Sequence, residues 1–343
     1  MPIIGCNPAP VIGRRSFLGL ATGVIAWPIA ARAQQRPYKV GFANLTEDPG
    51  TRLEGLGFTG ADVRASVALA ARGMPLDIVY YDNDRNRAKA LANADDAIAR
   101  KLDLYIQYCD DATANADIAT RMKSAGLPIL AINYPVPAAP FYGADNALAG
   151  RIAGEALAKF AVTTWHGEPV AAIIVGDLAN AGDHVLERSE AISAALKAAS
   201  ATIPETRIDT GGNPAQADSL LRRYLAAHTS GKLLIAALDD TTALMAKAGV
   251  EAANRSFDTA IASQGCDRSV HGGANDKKEI DPSNRGSIVI GSVAYLLDRY
   301  GYDILPLAMQ ILRGEPVPPR TTTRHVLVTA ANVFHVYPPI DMN

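Results

Sequence analysis

Short apolar runs bounded by turn-forming or charged residues alternate along this chain with longer Ala-rich stretches. Positions 38–44, 76–81, 104–108 and 128–132 read as strands. Between them, 88–100 and 112–125 repeat apolar residues at three- and four-residue spacing, the period of an amphipathic helix. A further helix is expected over 146–161, capped by Asp145 or Asn146. The pattern then restarts. Strands are expected at 170–175, 207–209, 233–237, 259–263 and 287–290, with helices at 181–199, 215–227 and 241–254. A last helix over 296–313 is closed by Val317-Pro318-Pro319, which should begin a connection rather than a strand. Strand, helix and strand at this pace mean βαβ units, and hence an α/β fold with parallel sheets covered on both faces. The two halves have no low-complexity linker between them, so two lobes packed around a shared cleft are expected.

The beginning of the chain departs from this pattern. Arg14-Arg15 precedes an apolar run over 17–30, followed by Ala31-Arg32-Ala33. A basic start, a short apolar middle and a small-x-small site make an export signal, here over 1–33. The run is short for a bilayer span and is interrupted by Pro28. Gly13-Arg14-Arg15-Ser16-Phe17-Leu18 also resembles the twin-arginine motif. Cleavage near Gln34 would deliver the protein to the periplasm and remove Cys6, leaving Cys109 and Cys266, too few for a disulfide framework.

Composition narrows the function classes. The 343 residues are 48% hydrophobic and 20% charged, enough for two cores and too charged for a polytopic membrane protein. Basic residues, 33 against 35 acidic, are scattered, so nucleic acid is not an expected partner. The six histidines are isolated and no C-x-x-C occurs, so no metal is expected. Neither a G-x-S-x-G elbow nor a P-loop is present, and no catalytic residues or cofactors are assigned.

One motif does match. Gly55-Leu56-Gly57-Phe58-Thr59-Gly60 fits G-x-G-x-x-G, with Asp77 and Asp82 at the distance of a ribose-binding acid. An exported NAD(P)-dependent oxidoreductase is therefore the alternative from another class. Against it, the first glycine should follow the strand almost at once, whereas Pro49 and other residues intervene after Asn44. A flexible loop ahead of the first helix is the simpler expectation. Likewise, Asp82 to Asn86 lacks the glycine and distal Glu of a calcium loop and reads as a capped strand-to-helix turn.

In open parallel sheets ligands sit beyond the carboxyl ends of the strands. The residues there are Asn44, Asp48, Tyr108, Asp110, Asn133, Tyr134, Asp239, Asp267 and Ser292, joined by Arg188 early in a helix. Carboxylates, amides and a guanidinium can each bond adjacent hydroxyls, and aromatic faces cover C–H surface. Such a set suits a neutral polyhydroxylated ligand. Each Asp and Asn could instead be an ordinary helix cap, and Arg188 could pair with Glu187 or Glu190 on an exposed helix face.

In this order and spacing the chain resembles the sugar-binding, ribose- and galactose-like branch of type I periplasmic binding proteins. The landmarks are Lys39-Val40-Gly41-Phe42-Ala43-Asn44, Gly126-Leu127-Pro128-Ile129, Gly143-Ala144-Asp145-Asn146, Glu187-Arg188-Ser189-Glu190, Leu238-Asp239-Asp240 and Gly265-Cys266-Asp267. The resemblance implies two Rossmann-like lobes joined by a three-crossing hinge, near 142–146, 291–292 and 322–325. It implies lobes of 37–145 with 292–323 and of 146–291 with 324–343. A monomeric, non-enzymatic receptor would then capture a sugar or polyol at the ten residues above and deliver it to an ABC transporter permease, or present it to a membrane sensor kinase. Two departures from the branch stand out. Asn133-Tyr134 stands where Asp-Arg is frequent, and 51–60 resembles an insertion.

Overall fold

The computed structural model describes residues 36–338, except 167, 169, 180–181, 273–278 and 285–286. The expected export signal, with Arg14, Arg15 and the site at Ala33, lies outside the described residues.

The chain builds two six-stranded sheets. The first uses β1 (Tyr38–Asn44), β2 (Leu76–Asp82), β3 (Leu104–Gln107), β4 (Ile129–Ile132) and β5 (Phe141–Gly143). The second uses β6 (Val170–Gly176), β7 (Glu205–Asp209), β8 (Lys232–Ala237), β9 (Thr259–Gly265) and β10 (Val289–Ala294). Late in the chain β11 (Arg320–Thr322) joins the first sheet and β12 (Val326–Val328) the second. The strand orders are β11-β5-β4-β3-β1-β2 and β12-β10-β9-β8-β6-β7, so both halves wind the same way. Among the strand pairs of the described residues, only β10 with β12 is antiparallel. The central strands are apolar on both faces because helices cover both, as parallel sheets require.

The helices are α1 (Gly60–Ala70), α2 (Arg87–Ala99), α3 (Ala112–Ala125), α4 (Asn146–Thr164) and α5 (Asp183–Ala199), then α6 (Gln216–Ala227), α7 (Asp240–Ala252), α8 (Arg268–His271), α9 (Tyr300–Leu312) and α10 (Val333–Val336). Side-chain caps set several starts. Asn86 caps α2, Asp111 caps α3, and Asp145, one of the two expected candidates, caps α4.

The chain passes between the sheets after β5, after β10 and between β11 and β12. The middle passage differs from the expected position, because β10 stays paired in the second sheet through Ala294, beyond Gly291-Ser292. Each winding reverses at a switch point, between β1 and β3 in one sheet and β6 and β8 in the other. Ligand crevices form at such reversals. The strand ends there carry Asn44, Tyr108, Leu238 and Asp239.

Candidate ligand-binding site

Close helix packing puts Arg188 in place. Gly150 and Gly154 on α4 face α5 so tightly that a Cβ at Gly150 would lie 2.2 Å from the Arg188 carbonyl oxygen. The Arg188 side chain is wholly buried as a result. Its Nη1 donates to the Leu238 carbonyl at 2.7 Å, and its Nε and Nη2 donate to Asn146 Oδ1 at 3.3 and 3.0 Å. The guanidinium lies 4.8 Å from the Tyr295 ring centroid. An exposed pairing with Glu187 or Glu190 is therefore excluded; Glu190 bonds Arg207 instead.

Across the cleft, Tyr108 follows β3 and is fully buried, with Tyr134 stacked at 6.1 Å between ring centroids. Asn133 Nδ2 donates to the Tyr108 hydroxyl at 3.1 Å, and Asn133 Oδ1 accepts from Tyr300 at 3.1 Å. Burial raises both the Tyr108 and Tyr134 hydroxyl pKa values, so these groups remain donors.

What joins the two walls is the chain itself. The expected flexible loop is instead a buried plug: Leu53, Glu54, Leu56 and Phe58 are all buried. Tyr108 donates its hydroxyl to Glu54 Oε1 at 2.6 Å, and after burial the same carboxylate helps hold the Tyr134 hydroxyl pKa up. Arg188 Nη2 donates to the Glu54 backbone carbonyl at 3.2 Å. Gly57 lies on Asp267 so closely that a Cβ there would fall 1.4 Å from Oδ2. Leu53 N–H donates to the Phe58 carbonyl at 2.8 Å, closing the segment on itself, and a Thr59/Asp62 capping box then starts α1. Burying Leu53, Leu56 and Phe58 contributes roughly 1.5–3 kcal/mol apiece. Against this, Glu54 sits at φ 56°, a left-handed conformation that costs a non-glycine residue on the order of 1 kcal/mol.

The G-x-G-x-x-G glycines are thereby accounted for by packing. Gly55 has φ 64°, Gly57 clears Asp267, and Gly60 clears the Thr46 carbonyl oxygen. A separate cavity of about 910 Å³ remains beside the plug. It is bounded by Gly57, Phe58 and α1 on one side and by Asp267, Arg268 and Tyr337 on the other.

Of the expected site residues, the structure gathers Tyr108, Asn133, Tyr134 and Arg188 around Glu54, with Asp267 against Gly57. Asp239 is spent capping α7, accepting from Thr242 N at 2.8 Å. Ser292 donates to Asp240 Oδ1 at 2.6 Å and is buried behind the cleft wall. Asn44 braces the plug's far end, donating to the Gly60 carbonyl at 2.9 Å. Neither Asp48 nor Asp110 hydrogen-bonds this group among the described residues, although Asp110 lies near enough to Tyr134 to help raise its pKa. Asp48 is exposed and bonds Gly50 and Thr51 in its own turn, and Asp110 pairs with Arg85 at 2.5 Å.

Glu54, Asn146, Tyr295 and Asp240 were not among the expected site residues, although Asn146 and Asp240 stand in the landmarks of the resemblance. Asp240 is fully buried, and its pKa is pushed well up, first by burial and then by the neighbouring Asp267 carboxylate. The adjacent acids Asp239 and Asp240 look alike in sequence, and only the cap geometry separates them. For Glu54 a signal existed: Leu53, Leu56 and Phe58 surround it in a segment otherwise read as loop.

Two similarly wound sheets, joined by three passages and each reversing at a switch point, make a two-lobed α/β fold. The family model of the periplasmic binding protein domain matches residues 58–316, and the chain belongs to this family. Its fold is that of the type I members. Similar solved structures include an ABC transporter periplasmic solute binding protein from Actinobacillus succinogenes 130z with bound D-allose, at 15% identity and TM-score 0.68, covering 87% of this chain and 99% of that one. A solute binding protein from Bacillus halodurans C-125 with bound myo-inositol has 18% identity and TM-score 0.64, covering 89% and 98%. One from Mycobacterium smegmatis with bound glycerol has 19% identity and TM-score 0.65, covering 87% and 96%. Among curated proteins, none matches the chain.

Proposed function

We propose that this protein is an exported receptor that captures a sugar or polyol between its lobes and passes it to an ABC importer. The observation that carries this reading is the convergence of Tyr108, Tyr134 and Asn133 from one sheet with Arg188 from the other on a single buried volume. Rings to cover C–H faces and planar donors to bond hydroxyls are what a polyhydroxylated solute needs. The bound allose, myo-inositol and glycerol of the similar structures point the same way. In this reading residues 1–33 are a cleaved export signal of the twin-arginine type. The mature receptor is a periplasmic monomer whose lobes move about the three passages, and its partner is a transporter permease.

A thermal-shift screen of sugars, polyols and small organic acids on the mature protein tests the proposal. A ligand at one hundred times its Kd adds about 2.7 kcal/mol to the folded state, enough to raise Tm by several degrees. A screen in which only non-sugar ligands raise Tm overturns the sugar assignment.

A further inference from the structure

The 53–58 segment occupies the volume in which the receptor reading places the ligand, and it does so as a ligand would. It reaches both walls at once. Its Glu54 carboxylate takes the Tyr108 hydroxyl bond, and its Glu54 carbonyl takes a bond from Arg188. Glu54 holds this place at positive φ, a conformation that surrounding contacts must enforce. The segment is anchored by short connections, to Asp48–Thr51 turn bonds on one side and the α1 capping box on the other. It can therefore leave the cleft without unravelling a strand.

We propose that the 53–58 segment is a tethered stand-in for the ligand, and that the solute which displaces it carries a carboxylate: a sugar acid or a similar hydroxylated acid. This rests on the receptor reading and narrows it. With the segment withdrawn, the buried Tyr108 hydroxyl loses its carboxylate acceptor and a wholly buried guanidinium loses an acceptor. Unpaired buried donors are costly, so the replacement must supply acceptors in the same arrangement. A carboxylate accepts more strongly than a hydroxyl, and it replaces the negative charge that leaves the cleft with Glu54. Hydroxyls on the rest of the molecule then meet Asn133 and the Asp267 carboxylate that Gly57 uncovers.

The test compares D-galacturonate and D-gluconate with D-galactose and D-glucitol by calorimetry. It uses the wild-type mature protein and two variants, Glu54→Ala and one with 53–57 replaced by Gly-Ser-Gly. The acids should bind at least tenfold tighter than their neutral counterparts. Both variants should bind them tighter than wild type, because their internal competitor is weakened. Trypsin provides a second readout, since Arg52 is exposed and adjoins the segment. Saturating acid should accelerate cleavage after Arg52 several-fold, the reverse of ordinary ligand protection. Neutral sugars binding as well as or better than the acids overturn this inference and leave the receptor reading standing. So does a Glu54→Ala variant that binds more weakly than wild type, which makes Glu54 part of the site. Failure of all four compounds in wild type and in both variants, with folding verified by circular dichroism, overturns the receptor reading along with it.

Discussion

The Nε2 atom of His325 accepts the backbone N–H of Asp145 at 3.0 Å, across 180 residues of sequence. That leaves the ring proton on Nδ1, which donates to the Ala294 carbonyl at 3.0 Å. One buried imidazole therefore ties together all three passages between the lobes: after β5, after β10 and between β11 and β12.

This tie is sensitive to acid. Burial lowers the His325 pKa; Asp145 opposes the shift and Arg188 reinforces it. The unfolded chain thus binds a proton that the folded chain resists, so the stabilisation is present above about pH 6.5 and declines as pH falls below it. His184, beside Tyr134, is shifted the same way by burial and adds to the decline. The fall in Tm between pH 7 and pH 5 should be smaller in His325→Gln than in wild type. Equal falls would assign the acid sensitivity elsewhere.

Arg188 is expected to matter for folding as well as for binding. Truncation to Ala removes the 2.7 Å donor of the Leu238 carbonyl and the donor of the Glu54 carbonyl, and leaves Asn146 Oδ1 with the Tyr295 hydroxyl alone, all in a buried setting. The loss should be on the order of 3 kcal/mol in urea denaturation. Arg188→Lys should recover little, because an ammonium cannot span acceptors that a planar fork reaches together. A loss under about 1 kcal/mol would place Arg188 on a relaxed surface instead.

Most of the long strands and helices were legible because burial on both faces leaves long apolar runs and because Ala-rich helices keep their period. By contrast, β10 spans Val289–Ala294 rather than 287–290, and the pattern assigned no range to α1. Three strands were not legible, namely β5, β11 and β12. Each is three residues long, too short for any period, and β11 is Arg-Thr-Thr. They form because neighbouring edges accept them. Tyr108 and Arg188 could be picked out from their places after a strand and early in a helix. Glu54 had only the apolar neighbours Leu53, Leu56 and Phe58 to mark its segment as buried; its role was hidden, since its partner Tyr108 is 54 residues away and irregular backbone leaves no periodic trace. The same segment turned the expected flexible loop into a core element.

Export gives a separate prediction. The protein isolated from its native compartment should begin near Gln34, as N-terminal sequencing would establish, and changing Arg14 and Arg15 to Lys should block export if the twin-arginine route is used. Finding Met1 on the native protein would refute cleavage.

The thiols should be silent in the folded protein. Cys109 and Cys266 are buried and free, and burial raises both pKa values, so little reactive thiolate forms at neutral pH. A thiol reagent should react slowly with the native mature protein and find two thiols per chain in denaturant. Rapid native reaction would mean that the strand ends after β3 and β9 open readily.

Gly57 offers the sharpest steric test of the plug. Its φ is not in the left-handed range, so an added methyl group carries no backbone penalty of its own. Space alone opposes it: the new Cβ would lie 1.4 Å from Asp267 Oδ2 and 2.3 Å from its Cγ. Asp267 cannot easily yield, because its Oδ1 caps α8 through Ser269 N at 2.7 Å and its own N–H donates to Asp240 at 2.7 Å. Gly57→Ala should therefore unseat the segment or shift α8, at a cost of about 1–3 kcal/mol, the range for overpacking a filled interior. Tm should drop by several degrees and trypsin should cut after Arg52 faster than in wild type. The double variant Gly57→Ala, Asp267→Ala should recover part of the lost stability, since removing the carboxylate makes room for the methyl. Full stability in Gly57→Ala alone would show that the segment does not rest on Asp267 in solution.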